Sequence, residues 1–249
     1  LKINKEFKMK RAVISVSGGM DSTGLLLNLL REGYKVDAIS FNYGQKHSVE
    51  IERLNKNIDY LKSNGYNVEL KNLDLSQVMK SFNSSLIDES LDVPSGVYDS
   101  ENMKSTVVPN RNAIFSAITY GYALSISTKE NCNVDIALGV HSGDHTIYPD
   151  CREDFFTALN YAFKIGNWGS EKVGYYLPYM KENKFFILKD AKISCEKLNL
   201  DFTTVFKNTN TCYNPSKDGK SCGKCGSCNE RLEAFLFLGE KDPVEYLGV

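Results

Sequence analysis

The sequence predicts an α/β fold: a doubly wound, Rossmann-like parallel sheet with a metal-binding extension at its C-terminal end. Three observations carry this. Short β-branched runs alternate with helical patterns from residue 12 onward. The first run, Ala12 to Val16, breaks at Ser17-Gly18-Gly19 and leads into a helix rich in leucine (Leu25, Leu26, Leu27, Leu29, Leu30). Finally, of seven cysteines, four crowd between Cys212 and Cys228.

Strand, glycine turn and helix in that order make an anion site. The glycines let the backbone approach a phosphate, and the free N–H groups of the first helical turn point at it. Ser17, Ser22 and Thr23 add hydroxyls, and a helix start capped by Asp21 or Ser22 is the alternative reading. A Walker loop is excluded, because the one Gly-Lys-Ser, at Gly219, has Asn214 where the earlier glycine belongs.

Lys35 to Tyr43 reads as the second strand, ending in Tyr43-Gly44-Gln45-Lys46-His47-Ser48. Ile51, Leu54, Ile58 and Leu61 give 49–64 a helical period, and Asn67 to Asn72 is a third strand. In a parallel sheet wound βαβαβ, ligands bind beyond the carboxyl ends of the strands, so the glycine turn and the Tyr43 loop share one rim. Residues 83–106 are polar and weakly periodic, and read as a long loop or mobile flap.

Pro109 suits the first turn of a buried helix over 113–127. Arg111 at its start opposes the helix dipole, which either a nearby anion or exposure to water explains. Val134 to Val140 is a buried strand, so the polar stretch His141 to Arg152 falls on the same rim. Polar contacts to substrate suit its His141, Asp144, His145, Tyr148, Asp150 and Arg152 better than a histidine metal pair does. Helices are expected over 153–165 and 186–198, with a strand over 173–179; Lys184 and Lys189 flank the start of the later helix.

The last pattern is Cys212-x9-Cys222-x2-Cys225-x2-Cys228 in a glycine-rich loop, before a helix around Leu232, Phe235 and Leu236. Four thiolates close a tetrahedral shell, as structural zinc requires; an iron–sulfur cluster uses the same soft ligands. Nothing resembling a linker separates this segment, so residues 1–249 read as one domain with 208–239 as its zinc-binding segment.

The net charge of −1 gives no overall basic footprint for nucleic acid, and no apolar run reaches the roughly 18 residues of a membrane span. Leu1 to Arg11 lacks the apolar core of a signal peptide, and the first residue is not Met, placing the true start upstream or at Met9. A cytoplasmic protein is expected.

Ser17-Gly18-Gly19-Met20-Asp21-Ser22 resembles the pyrophosphate loop of the PP-loop ATPases, which cleave ATP between its α and β phosphates. Together with Tyr43-Gly44-Gln45-Lys46-His47-Ser48, Val108 to Asn112, Tyr148-Pro149-Asp150-Cys151-Arg152, Asn208 to Asn214 and the cysteine cluster, it resembles the QueC (ExsB) family of 7-cyano-7-deazaguanine synthases. The resemblance implies the PP-loop adenine nucleotide α-hydrolase fold and a homodimer. Its implied activity converts 7-carboxy-7-deazaguanine and ammonia to the nitrile through an acyl-adenylate, with ATP, Mg²⁺ and Zn²⁺. It further implies nucleotide contacts at Ser17, Gly18, Gly19, Met20, Asp21, Ser22, Thr23, Tyr43, Gln45, His47 and Lys189, and catalytic roles for Asp21, Ser22, Arg111, Asp144 and Lys184. Arg111 and the 141–152 residues named above would meet the substrate, and Cys212, Cys222, Cys225 and Cys228 the zinc. At His141 to Ile147 the chain departs from the usual family stretch, keeping only the acidic Asp144. That departure leaves a second reading open, a related ligase that passes the deazapurine acyl group to a protein amine in bacterial defence.

Overall fold

The computed structural model describes residues 10–94 and 101–248. Its elements in chain order are β1 (Arg11–Ser15), α1 (Met20–Arg31), β2 (Lys35–Asn42), α2 (Val49–Ser63), β3 (Glu69–Asp74) and α3 (Ser76–Met79). These are followed by α4 (Arg111–Glu130), β4 (Val134–Leu138), α5 (Glu153–Gly166), β5 (Val173–Tyr176), α6 (Lys184–Leu198), α7 (Phe202–Lys207) and α8 (Gly226–Leu238). The five strands pair in the order β3-β2-β1-β4-β5, and every pairing is parallel. The doubly wound sheet expected from the sequence is therefore present. Its direction of winding reverses between β1 and β4, the point where such sheets open a crevice.

Strand alternation divides the core in two. Ala12, Ile14, Val36, Ala38 and Ala137 face α1, α2, α6, α7 and α8. Val13, Ile39, Phe41, Ile136 and Leu138 face α4 and α5. Because both faces are covered, the strands read as nearly unbroken apolar runs.

The boundaries differ from expectation at a few points. Helix α4 begins at Arg111 behind a left-handed Asn110 (φ 58°), so Pro109 precedes the helix instead of occupying its first turn. Its outer face carries Ala117, Gly121 and Ser125 in contact with solvent. Helix α6 starts at Lys184, two residues earlier than its apolar period shows, because Asn183 caps it by accepting the Phe186 N–H. Helix α7 was not expected.

The described parts of 83–106 are not a free flap. Leu86 and Met103 are buried in the core, and the Ser85 N–H donates to the Ser105 carbonyl. Widely spaced apolar anchors in a polar stretch hide this from periodicity. Residues 95–100 of the expected flap, and the expected start over residues 1–9, lie outside the described residues.

The cysteine segment is clamped to the body by arginines. Arg53 of α2 donates to the Thr209 and Gly219 carbonyls. Arg231 of α8, 1% exposed, forks onto both oxygens of Asp242 at 2.7 and 2.9 Å. It also donates to Thr209 Oγ1 and the Phe206 carbonyl. Arg231→Met would strand the Asp242 charge in the interior. The expected cost is about 3–5 kcal/mol, read as a lower urea midpoint at unchanged slope; a loss below about 1 kcal/mol would show the clamp to be dispensable.

Candidate active site

The cleft opens at the β1/β4 reversal, where the loops after β1, β2 and β4 meet the starts of α4 and α6. Its floor is the glycine turn. Gly19 occupies the N-cap of α1 and has no side chain to cap it, so the first-turn N–H groups remain for an outside acceptor. Side-chain capping by Asp21 or Ser22 does not occur there. Ser17 and Ser22 instead brace the turn from within. Their hydroxyls lie 3.2 Å apart, and Ser17 Oγ accepts the Gly19 N–H.

Gly18 carries the strictest constraint. Its φ is +92°, and a Cβ there would lie 2.3 Å from the Glu50 carbonyl oxygen. Only glycine accepts both that dihedral and that approach. From the other side, the Asn210 N–H donates to the Gly18 carbonyl at 3.0 Å. Gly139, after β4, passes so close to α1 that a Cβ would meet Ser22 N at 3.0 Å.

One end of the cleft is aromatic and cationic. Phe41 stacks on Phe115 at 4.1 Å, and the Arg111 guanidinium lies over the Tyr148 ring at 5.8 Å. Burial lowers the Arg111 pKa, but Tyr43, Tyr148 and Tyr213 around it more than restore it. Burial likewise raises those three phenols, so they are neutral near pH 7 and do not cancel the guanidinium charge. Arg111, at the helix start, lines the cleft and is half-buried.

Beside it, His47 Nε2 lies 3.4 Å from Glu50 Oε1. Burial and Arg111 push His47 down to about 4. Burial pushes the Glu50 carboxyl up to about 8, against the Gln45 hydrogen bond and Arg111. Near pH 7 the pair is an uncharged acid beside an uncharged imidazole.

The other end holds most of the ionised groups. Lys184 Nζ, 6% exposed as a residue, lies 2.9 Å from Glu230 Oε2 and 3.4 Å from Asp21 Oδ2. Burial lowers the Lys184 pKa, and Asp21, Glu230 and Asp144 together raise it further than that. His141 is buried, and its Nδ1 accepts the Gly143 N–H. Its Nε2 faces Asp144 Oδ2 at 3.6 Å and Asp21 Oδ2 at 3.8 Å. Asp21 Oδ1 is buried without a hydrogen-bond partner, which suits a divalent cation such as Mg²⁺ at this carboxylate.

The structure brings most of the expected residues together, with corrections. Ser17, Gly19, Asp21, Ser22, Tyr43, His47, Arg111, Asp144 and Lys184 line the cleft. Lys189 does not, since five residues beyond Lys184 is about 140° around the helix, on the exposed side. The Met20 side chain is buried in the core behind the turn, and Thr23 is buried beside it. Gln45 is a brace, accepting the Tyr43 N–H and donating to the Phe41 carbonyl.

His145 and Arg152 border a separate shallow groove with Ser142, Glu153 and Lys181, and Arg152 donates to the His145 carbonyl. Asp150 caps α4 by accepting the Asn112 N–H. Tyr148 supports Arg111 from below, its hydroxyl 2.6 Å from Thr106 Oγ1. Cys151 is buried in the cleft wall, with its thiol pushed up by burial and Asp144, the opposite of a reactive thiolate.

Glu50, Asn210 and Glu230 were not expected. Glu50, in the first turn of α2, stands three residues after His47 in the turn that leads into it, and that spacing is the one sequence signal that could have exposed it.

At the C-terminal segment the ligand atoms of Cys212, Cys222, Cys225 and Cys228 all lie within 4.8 Å of one another. A tetrahedral ion with bonds of about 2.3 Å sets sulfurs about 3.8 Å apart, and Cys222 and Cys228 are at 3.9 Å. Backbone N–H groups of Asn214 and Cys222 donate to Cys212 Sγ, and those of Lys224 and Cys225 to Cys222 Sγ. The set fits one closed-shell ion and is too tight for ligands spread over several irons.

Residues 11–239 match the sequence model of the family described as queuosine biosynthesis protein QueC. The chain is similar to 7-cyano-7-deazaguanine synthase 2 of Colwellia psychrerythraea, at 43% identity over 96% of this chain and 99% of the relative. It is 42% identical to 7-cyano-7-deazaguanine synthase of Psychromonas ingrahamii over 95% and 98%, and 40% identical to that of Caldicellulosiruptor saccharolyticus over 95% and 95%. Among solved structures, a 4-thiouridine synthetase with RNA and bound ATP is a loose likeness: TM-score 0.44, 16% identity, 90% of this chain and 50% of that one. Among the described residues no helix is long and apolar enough to cross a membrane.

Two outcomes follow from the geometry. In the unfolded chain Glu50 titrates near its ordinary ~4.3, so up to about 8 the folded state holds a proton the unfolded state has lost. Its share of stability therefore falls as pH rises. His47 acts oppositely, between about 4 and its ordinary 6.5. From about pH 6.5 to 8 only Glu50 remains of the pair, worth about 2 kcal/mol. Glu50→Gln should gain about that much on wild type across this range in urea titrations; parallel pH profiles would show that Glu50 is ionised in the fold. The purified protein should also carry one zinc per chain by elemental analysis, and chelation should lower its thermal midpoint. A brown, iron-bearing protein would reject zinc.

Proposed function

Because this chain belongs to the QueC family, we propose that it is a 7-cyano-7-deazaguanine synthase that uses ATP in the manner of a carbon–nitrogen ligase. The supporting observation is the joint presence, on one rim, of an uncapped helix start behind Gly18-Gly19, an Arg111 flanked by neutral phenols, and a buried Lys184 between carboxylates. The first fits a polyphosphate, the second a carboxylate on a planar ring, the third a leaving pyrophosphate.

In the first half-reaction the carboxylate of 7-carboxy-7-deazaguanine attacks the α phosphorus of ATP. The α–β phosphoanhydride bond breaks and pyrophosphate leaves. Ammonia then displaces AMP to give the amide and a proton. The amide oxygen then attacks the α phosphorus of a second ATP, releasing pyrophosphate and one N–H proton, and loss of AMP with the other N–H proton leaves the nitrile.

Negative charge grows on the leaving pyrophosphate, so fixed N–H donors from Met20 to Ser22 and the Lys184 ammonium act most strongly there. Mg²⁺ held by Asp21 would supply further neutralisation of phosphate charge. Arg111, cradled by Tyr43 and Tyr148, orients the substrate carboxylate. Phe115 and Phe41 offer a flat apolar wall to the deazapurine. Asp144 accepts protons from the attacking nitrogen. His47 and Glu50, uncharged, line the cleft without repelling the nucleotide. The four cysteines hold zinc in a closed shell with no open position, so its contribution is to structure. Residues 208–239 belong to the same domain as the sheet, and the working unit is the homodimer that the family resemblance implies.

The test is product mass and AMP count with ATP, Mg²⁺, ammonium and 7-carboxy-7-deazaguanine. Two AMP and two pyrophosphate per nitrile are expected. Asp21→Ala should slow AMP release by at least ~100-fold. ADP and phosphate as products would reject cleavage at the α position, and amide accumulating at one AMP per substrate would reject the nitrile.

A further inference from the structure

Glu230 has no part in the chemistry above, yet it reaches the cleft. It lies two residues beyond Cys228 on α8. Its carboxylate stands 2.9 Å from Lys184 Nζ, and Asp21 Oδ2 stands 3.4 Å from the same ammonium. Glu230 also presses on the loop that carries His141 and Asp144, since a Cβ at Gly143 would lie 2.9 Å from Glu230 Oε1.

Helix α8 is not free to turn. Cys228 belongs to the four-cysteine set, and Arg231, the next residue after Glu230, is locked onto Asp242 and Thr209. Glu230 is thus an anion fixed to the cysteine segment and aimed at a lysine of the nucleotide cleft.

A buried ammonium shared by two carboxylates is placed by the pull of both. With one carboxylate removed it is drawn onto the other by the unscreened attraction of a low-dielectric site. Here the remaining partner would be Asp21, the carboxylate proposed above for the metal ion. A lysine collapsed on Asp21 would both leave the phosphate path and neutralise that carboxylate.

We infer that Glu230 is a positioning residue for the adenylation reaction, holding Lys184 off Asp21 and tying the four-cysteine segment to the cleft. The inference rests on the adenylation reading of the preceding section. Glu230 touches no reacting atom; it acts through Lys184.

The experiment follows AMP release against ATP concentration in the full-length, metal-loaded protein. It compares wild type with Glu230→Gln, Glu230→Asp, Lys184→Met and the double variant Glu230→Gln/Lys184→Met. Glu230→Gln should lower kcat by roughly 10- to 100-fold, the scale of a misplaced group. KM for ATP should change less than about 3-fold, as expected when the loss is in the transition state. Zinc content should be unchanged, and Glu230→Asp should recover part of the rate. In the Lys184→Met background, Glu230→Gln should cost less than about 2-fold, because the lysine it positions is gone.

Losses that multiply in the double variant would overturn the inference. So would an unchanged kcat in Glu230→Gln, or a loss that tracks zinc or folded fraction. A wild type that releases no AMP would reject the adenylation reading, and this inference with it.

Discussion

The site depends on one close approach of backbone to backbone. Gly18, at positive φ, lies against the Glu50 carbonyl so tightly that no side chain fits between them. That contact docks the turn after β1 onto the first turn of α2. The Asn210 N–H holds the same glycine from the opposite side. Three segments distant in sequence therefore converge on one peptide unit, and each brings its own groups to the cleft. The β1 turn brings the helix N-terminus, the start of α2 and the turn before it bring Glu50 and His47, and the 208–214 stretch brings Tyr213 and the first cysteine.

Around that point, burial sorts charge. At the aromatic end, low dielectric makes ionisation costly for every group that can avoid it. Glu50 keeps its proton, His47 and the phenols stay neutral, and Arg111, which cannot neutralise, is left as the cation. At the other end Lys184 stays charged because carboxylates surround it. The cleft thus presents a cation at each end, one in a neutral aromatic setting and one among acids. A planar carboxylic acid suits the first and a magnesium–polyphosphate the second.

The C-terminal segment is more than a staple. Half-buried Arg53 satisfies the Thr209 and Gly219 carbonyls, and buried Arg231 the Thr209 and Thr211 hydroxyls, of a loop that has little regular structure of its own. Such a loop cannot leave its polar groups unpaired in the interior, and the arginine forks take the place of strand or helix partners. Through Asn210 and Glu230 the same segment touches the nucleotide end of the cleft from two directions. The four-cysteine set and the candidate cleft therefore share a support.

Strand and helix alternation, the glycine turn, and the cysteine spacing were legible in the linear chain, because each is a local pattern: period 2 or 3.6 in apolar residues, a break in a β-branched run, ligands a few residues apart. These determined the fold class, the rim on which the cleft opens, and several of the residues that line it. The local patterns could not separate residues that share a motif but not a direction. Lys189 follows Lys184 on one helix and points away; Gln45 precedes His47 and braces the backbone; His145 and Arg152 border a different groove. Glu50 and Glu230 were invisible for the converse reason, charged residues in helices that periodicity assigns to solvent. Which of them is buried and which distant partner each meets depend on the packing of α2, α6 and α8 around Gly18 and Lys184, and that packing is set by contacts between segments far apart in the chain, such as Gly18 with Glu50 and Asn210 and Lys184 with Asp21 and Glu230.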